Sequence, residues 1–201
     1  SNLEDNSATE RVFSDNLPEI VIHLAAKVGG IGYNQANPAK CFYSNMLMGL
    51  NVVEACRRFS VKRLVILGSA CAYPKLAEVP TREEYAWRGY PEETNAAYGV
   101  AKRALKTLCD SYREQYGLDS VYLVPTNFYG PGDNFDPENS HVIPALIRKF
   151  SGAEDSVTLW GDGTPTRDFI HVSDCADAVV KAAQGYYGGL AINIGSGAEV
   201  S

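Results

Sequence analysis

The sequence predicts an α/β protein built on a doubly wound parallel sheet, and three observations carry that expectation. Strand-like runs alternate with long helical stretches, the runs are short and almost continuously apolar, and a serine stands directly behind one of them. Alternation of this kind requires crossover helices between parallel strands. Unbroken apolar runs suit strands covered on both faces.

Ile20 to Ala26 form the first such run, read as a strand buried on both faces. A helical stretch follows over 38–59, opening on Pro38, a residue favoured at a helix start. The next strand covers 63–68, and an irregular stretch rich in Pro, Glu and Tyr fills 72–94. A second long helix is expected over 95–116, with Asn95 as its N-cap and Gly117 as its C-cap. Residues 120–126 read as another strand. From Tyr129 the character changes: Gly130, Pro131, Gly132, Asp133 and Asn134 are turn formers, and shorter elements follow, which places a domain boundary there.

Composition narrows the function classes. The chain has 201 residues, 45% hydrophobic and 21% charged, as ordinary globular proteins do. Its net charge of −6 argues against a nucleic-acid surface, although not against an anionic small ligand held by local positive groups. No apolar run approaches the ~20 residues of a membrane span, and no signal-peptide pattern opens the chain. Cys41, Cys56, Cys71, Cys109 and Cys175 are odd in number and form no CxxC pair, so free thiols in a reducing cytoplasm are expected. His23, His141 and His171 show no ligand spacing with cysteines, and no metal is expected.

The chemistry concentrates in Ser69, Tyr98 and Lys102. Tyr98 and Lys102 lie one helical turn apart and project from one face. A tyrosine of pKa roughly 10 is a poor acid near neutrality, and a fixed ammonium beside it is expected to favour the phenolate. Ser69 follows a strand, at the carboxyl edge where open parallel sheets place ligands. Together the three could hydrogen-bond a ketone oxygen and protonate it while a nicotinamide delivers hydride. A dinucleotide fold should also open on a strand and a GxGxxG turn, which this sequence does not supply. Gly29, Gly30 and Gly32 follow a strand, but their spacing is wrong, and a flexible loop permitting tight turns fits them better. The first βαβ part is therefore expected to lie outside these residues. Its absence would leave the strand ending at Leu24 with an unpaired apolar edge.

Longer strings now become informative. His23 to Ile31, Gly68 to Lys75, Tyr98 to Lys102, Pro125 to Phe135, Asn139 to Arg148, Trp160–Gly161 and Gly163 to Val172 together resemble the extended short-chain dehydrogenases. Within that family they are most similar to the branch that epimerises C3 and C5 and reduces C4 of GDP-4-keto-6-deoxy-mannose, giving GDP-L-fucose. The resemblance implies a Rossmann-type fold with a smaller substrate-binding domain. Residues 1–130 would be an incomplete dinucleotide-binding part and 131–201 mainly an incomplete substrate part, with 166–185 packing back on the first. It implies NADP(H), with NAD(H) the alternative, a nucleotide-sugar substrate, a homodimer, and neither nucleic acid nor membrane as partner.

Carried over position by position, the resemblance gives Ser69, Tyr98 and Lys102 the reductase roles and adds the nicotinamide ribose to Lys102. Leu24, Ala25, Ala26, Pro125, Asn127 and Phe128 would face the cofactor. Asn127, Val142, Lys149, Trp160 and Arg167 would face the substrate, with Arg167 on its diphosphate, where a guanidinium suits bidentate binding. Taken alone, Arg167 could equally pair with Asp168 or Asp162. Cys71 and His141 match the epimerisation pair. Inverting a carbon beside a ketone needs proton removal on one face and return on the other, and a thiol and an imidazole both exchange protons near neutrality. Taken alone, Cys71 would be a small buried thiol and His141 a helix-start residue. Two departures stand out: Ala70 replaces a second serine, and Gly99 lies inside the catalytic helix, costing roughly 0.5–1 kcal/mol relative to alanine. A 4-epimerase, a simple 4-reductase and a non-catalytic protein of the same fold are the alternatives.

Overall fold

The computed structural model describes residues 1–137, 139–159 and 161–201. Helix α1 (Asn6–Asn16) starts where Asp5 Oδ1 accepts from the Ala8 amide at 3.1 Å, and it buries Thr9 and Phe13. Strand β1 (Ile20–His23), a short helix α2 (Ile31–Ala36) and the long helix α3 (Pro38–Arg58) follow. Strand β2 (Arg63–Leu67) leads into 3-10 turns at Ala70–Ala72 and Glu83–Trp87, then helix α4 (Ala96–Tyr116). Strands β3 (Ser120–Pro125) and β4 (Asn127–Tyr129) precede helix α5 (Val142–Ser151), strand β5 (Arg167–His171), helix α6 (Val172–Gly185), and strands β6 (Ala191–Ile194) and β7 (Glu199–Val200).

The main sheet has the order β1-β2-β3-β6 and every pairing in it is parallel. Its apolar side chains alternate between two cores, as strand geometry requires. Leu64, Ile66, Tyr122 and Val124 face one way, against Phe13 of α1, Val52 and Val53 of α3, and Leu105 of α4. Val65, Val121 and Leu123 face the other way, against Cys175, Val179 and Ala183 of α6. Helices thus cover both faces, as a doubly wound fold demands. Full burial of a side chain such as Leu64 or Ile66 contributes about 1.5–3 kcal/mol. The second sheet is small, with β4 parallel and β7 antiparallel to β5. Arg63 locks the amino end of the main sheet, donating from Nη2 to Asp119 at 2.6 Å and from Nη1 to the Ala183 carbonyl at 2.9 Å.

Three expectations are corrected. The first strand ends at His23 rather than Ala26, and it is not buried on both faces: Ile20 is 47% and Ile22 40% exposed. Among the described residues β1 pairs only with β2, and only its Val21 side reaches the core. Asn95 occupies the N-cap position of α4 without capping it, because its side chain is engaged elsewhere. The glycines after β1 are not merely a flexible loop, since Gly30 leads straight into α2. Gly117, by contrast, ends α4 in the left-handed conformation at φ 70°, as a glycine C-cap does.

Two glycines allow close approaches around α4 that any side chain would block, Gly68 to the Tyr122 ring of β3 and Gly99 of α4 to the Cys71 turn. A Cβ on Gly68 would lie 2.5 Å from the Tyr122 ring, and Tyr122 donates its hydroxyl to the Lys102 carbonyl at 2.7 Å. A Cβ on Gly99 would collide with the Cys71 carbonyl oxygen. The glycine read as a cost in the helix is thus what allows the turn carrying Cys71 to lie on α4.

Candidate active site

Ser69, Cys71, Tyr98 and Lys102 come together at the carboxyl edge of the main sheet. Ser69 leaves β2 in extended conformation and caps the turn Ala70–Ala72, its Oγ accepting from the Cys71 amide at 3.2 Å. Tyr98 and Lys102 point inward from the first turns of α4, 7% and 2% exposed. Lys102 Nζ donates to the Leu67 carbonyl at 2.8 Å and lies 5.7 Å from the centre of the Tyr98 ring. The Ser69 hydroxyl lies near enough to the Tyr98 phenol and the Cys71 thiol to favour their anions.

The electrostatics correct the expected tuning of Tyr98. Burial, reinforced by the charge Cys71 would carry as a thiolate, drives the phenol well above its ordinary range, and Ser69 only partly offsets this. Lys102 supplies no compensating pull: burial lowers its own pKa to about 8, and its ammonium is directed at a backbone carbonyl. Tyr98 is therefore held as the neutral phenol, the form that can give up a proton. Burial also raises the Cys71 thiol, with Glu92 adding to the rise and Ser69, its own backbone and Arg167 opposing it.

The other sequence-derived candidates divide. Leu24 and Ala26 are exposed and Ala25 half-buried, in the loop leaving the carboxyl end of β1. Pro125 is buried at the end of β3, while Asn127 and Phe128 are exposed on β4. Asn127 donates to the Asp168 carbonyl at 3.2 Å. Arg167 does not pair with Asp168 or Asp162: Asp168 is taken by Ser196 and the Gly197 amide, and Asp162 by Thr164. Its Nη1 donates to the Thr166 carbonyl at 2.7 Å. His141 precedes α5, exposed and without a side-chain cap bond, and no hydrogen bond joins it to Cys71 among the described residues. Its neighbour Ser140 presents its carbonyl to Gly30, which brings this corner against the loop after β1. Val142 is 50% exposed, and Lys149 donates to the Thr158 carbonyl at 3.1 Å. Trp160 lies outside the described residues. Among the described residues no group of His, Cys, Asp and Glu could hold a metal ion, and no helix is long and apolar enough to cross a membrane.

Sequence reasoning missed several residues behind the site. His23 is 4% exposed, and burial together with the nearby Lys102 lowers its pKa to about 4. Asn45 of α3 accepts from the Lys27 amide at 3.0 Å and donates to the Lys27 carbonyl at 2.8 Å, holding the loop after β1. The available signal was an amide on an apolar helix face, since buried polar groups are kept for their hydrogen bonds.

A parallel sheet with a serine at its carboxyl edge and a Tyr–Lys pair on the adjacent helix defines a class of carbonyl-handling dehydrogenases and epimerases. The chain belongs to the NAD dependent epimerase/dehydratase family, which matches residues 1–195. It is 47% identical to the probable GDP-L-fucose synthase 1 of Oryza sativa subsp. japonica, over 99% of this chain and 62% of that protein. It is 46% identical to the GDP-L-fucose synthase of Escherichia coli K12, over 91% of this chain and 58% of that one. The chain thus spans about three-fifths of these relatives. A Campylobacter jejuni GDP-D-glycero-L-gluco-heptose synthase, solved in the presence of NADPH, superposes with a TM-score of 0.91 at 31% identity, covering 99% of this chain and 71% of that one.

Proposed function

We propose that the whole protein converts GDP-4-keto-6-deoxy-mannose to GDP-L-fucose, inverting C3 and C5 and reducing C4 with NADPH. The observation that carries the reading is the convergence of Ser69, Tyr98, Lys102 and Cys71 within reach of the Arg167 charge. The residues present fit a nicotinamide dinucleotide. Ala25 and Ala26 are small at the carboxyl edge, and Lys102 keeps two of its three donors beyond the one given to Leu67. Leu24, Ala25, Ala26, Lys102, Pro125, Asn127 and Phe128 would hold it.

When bound, the reduced nicotinamide supplies hydride to the C4 carbonyl carbon. Tyr98, kept protonated by burial, gives its proton to the C4 oxygen while the Ser69 hydroxyl hydrogen-bonds that oxygen. The Ser69 hydroxyl, which already favours the Tyr98 anion, steadies the phenolate left behind, and Lys102 would hold the nicotinamide ribose with its remaining donors. Before reduction, Cys71 and His141 move protons at C3 and C5, whose C–H bonds the ketone acidifies. Arg167 takes the diphosphate, while Asn127, Val142 and Lys149 line the sugar nucleotide. Residues 1–130 serve the dinucleotide and 131–201 mainly the substrate. We place the enzyme in the cytoplasm, in keeping with five free cysteines. We read it as a homodimer, supported by the exposed Phe42, Tyr43 and Leu50 on α3.

The full-length protein is expected to oxidise NADPH, followed by absorbance, only when given a 4-keto-6-deoxy nucleotide sugar. Equal turnover of simple ketones lacking a nucleotide would overturn the reading, because the diphosphate contacts would then be idle.

A further inference from the structure

A buried amide that no role above uses stands behind the site. Asn34 of α2 is 4% exposed, and its Oδ1 accepts from the Gly29 amide at 3.2 Å and from Cys41 Sγ at 3.6 Å. Its Nδ2 donates to Asn95 Oδ1 at 2.7 Å, across 61 positions of sequence. Asn95 is the residue before α4, three ahead of Tyr98. Its backbone is pinned on both sides, the amide donating to the Glu92 carbonyl at 3.1 Å and the carbonyl accepting from the Gly99 amide at 2.8 Å. Gly29 belongs to the loop that leaves β1. One side chain therefore ties that loop to the start of the helix bearing Tyr98 and Lys102.

Asn45 holds the same loop in a different way. It grips Lys27 through both backbone groups and bonds the Cys41 carbonyl at 2.6 Å on its own helix, which fastens the loop to α3. The Asn34–Asn95 bond fastens it to α4 instead. This also explains why Asn95 gives up its capping bond, an interaction normally favoured at that position.

We propose that Asn34 is a positioning residue: through Asn95 it fixes the spacing between the loop after β1 and the helix carrying the proton donor. The inference rests on the function proposed above, in which that loop faces the cofactor and α4 faces the ketone. Transfer between groups on opposite walls depends on their separation, and a site held loosely by about 1 Å loses rate without losing its residues. The bond crosses from loop to helix, so cutting it changes this separation while both walls stay folded.

Asn95→Ala in the full-length protein cuts the bond and leaves Asn34 on Gly29. One hydrogen bond of ordinary net strength corresponds to about five-fold in an equilibrium, so the Gly29 amide should exchange with deuterium about five-fold faster. The Lys27 amide, held by Asn45, should exchange as before. With saturating substrate and NADPH, kcat should fall by about five-fold or more. Asn95→Asp keeps an oxygen for Asn34 but sets a carboxylate against Glu92 Oε2, which accepts from Asn95 Nδ2 at 3.4 Å, so it should restore both readouts when combined with Glu92→Gln. Asn95→Val removes the same acceptor with a larger side chain, so it should match Asn95→Ala and serves if that variant does not fold. A Gly29 amide exchanging at the wild-type rate in both cut variants overturns the proposal, as does a wild-type kcat in a variant whose loop has loosened. The exchange arm needs no substrate. A wild-type protein without turnover therefore overturns the proposed function and leaves the Gly29 result to decide this inference.

Discussion

The half of the chain that carries Ser69, Tyr98 and Lys102 is packed from several sides, whereas the half that carries Asn127, His141 and Val142 is mostly open. Helix α4 buries seven residues, among them Tyr98, Gly99, Ala101, Lys102 and Leu105. Helix α5 buries only Pro144, and all three residues of β4 are exposed. Ile147 and Phe150 of α5 are 49% and 59% exposed. Tyr98 and Lys102 are thus set by the core itself, since α4 is held by Tyr122 from below and by the Cys71 turn from the side. Asn127, His141 and Val142 stand on elements whose apolar sides gain little from burial, and such elements take their place from whatever covers them. On the function proposed above, reduction should therefore answer to single atoms, and epimerisation to the joining of two differently held regions.

Tyr98→Phe is the hardest blow to that comparison. It removes one hydroxyl from a packed position, so the fold and cofactor affinity should survive while reduction falls by about 10²–10⁴-fold, the usual worth of a general acid. Turnover near wild type under chemistry-limited conditions would mean the proton comes from elsewhere. Cys71→Ser and His141→Asn probe one group from each region. Solvent deuterium exchange at C3 and C5, measured without NADPH, should drop in both, by up to a similar factor. Exchange at wild-type rates in both variants would make the pair structural and the protein a simple reductase.

Smaller effects sharpen the account of the packed half. His23 titrates near 6.5 when unfolded and at about 4 when folded, because burial and Lys102 disfavour its charge. Between those values the unfolded chain binds more protons, so stability falls as pH drops from about 6.5 towards 4. His23→Leu should remove about 2–3 kcal/mol of that loss, read as a smaller shift in urea midpoint between pH 7.5 and 4.5. An unchanged shift would show that the imidazole is solvated after all. Gly99→Ala should cost about 1–3 kcal/mol by overpacking against the Cys71 carbonyl, against a slight gain at an open helical site. A neutral or stabilising result in thermal unfolding would deny the close approach.

The legible parts of the sequence were those where one signal sufficed. The runs around Leu64–Val65–Ile66 and Val121–Tyr122–Leu123 are apolar throughout because both sheet faces are covered, and α3 and α4 are long enough for their periodicity to speak. What stayed hidden depended on partners distant in sequence. Helix α1 buries only Thr9 and Phe13, too little to mark a face, and α2 has six residues. The pKa of Tyr98 was misjudged because the Tyr–Lys spacing shows proximity but neither the depth of burial nor the carbonyl that takes the ammonium. Asn95 looked like an ordinary cap because its partner lies 61 residues away.

The close seats of Gly68 and Gly99 bear on how this protein tolerates change. Neither residue has a side chain to offer a substrate, yet each occupies space that the smallest substituent would overfill, one against an aromatic ring and one against a backbone oxygen. In a scan of every replacement at every position, these two should stand out beside Tyr98, with a different profile: loss at Tyr98 would follow the chemistry of the new side chain, whereas loss at the glycines would begin with the first carbon added and grow with size.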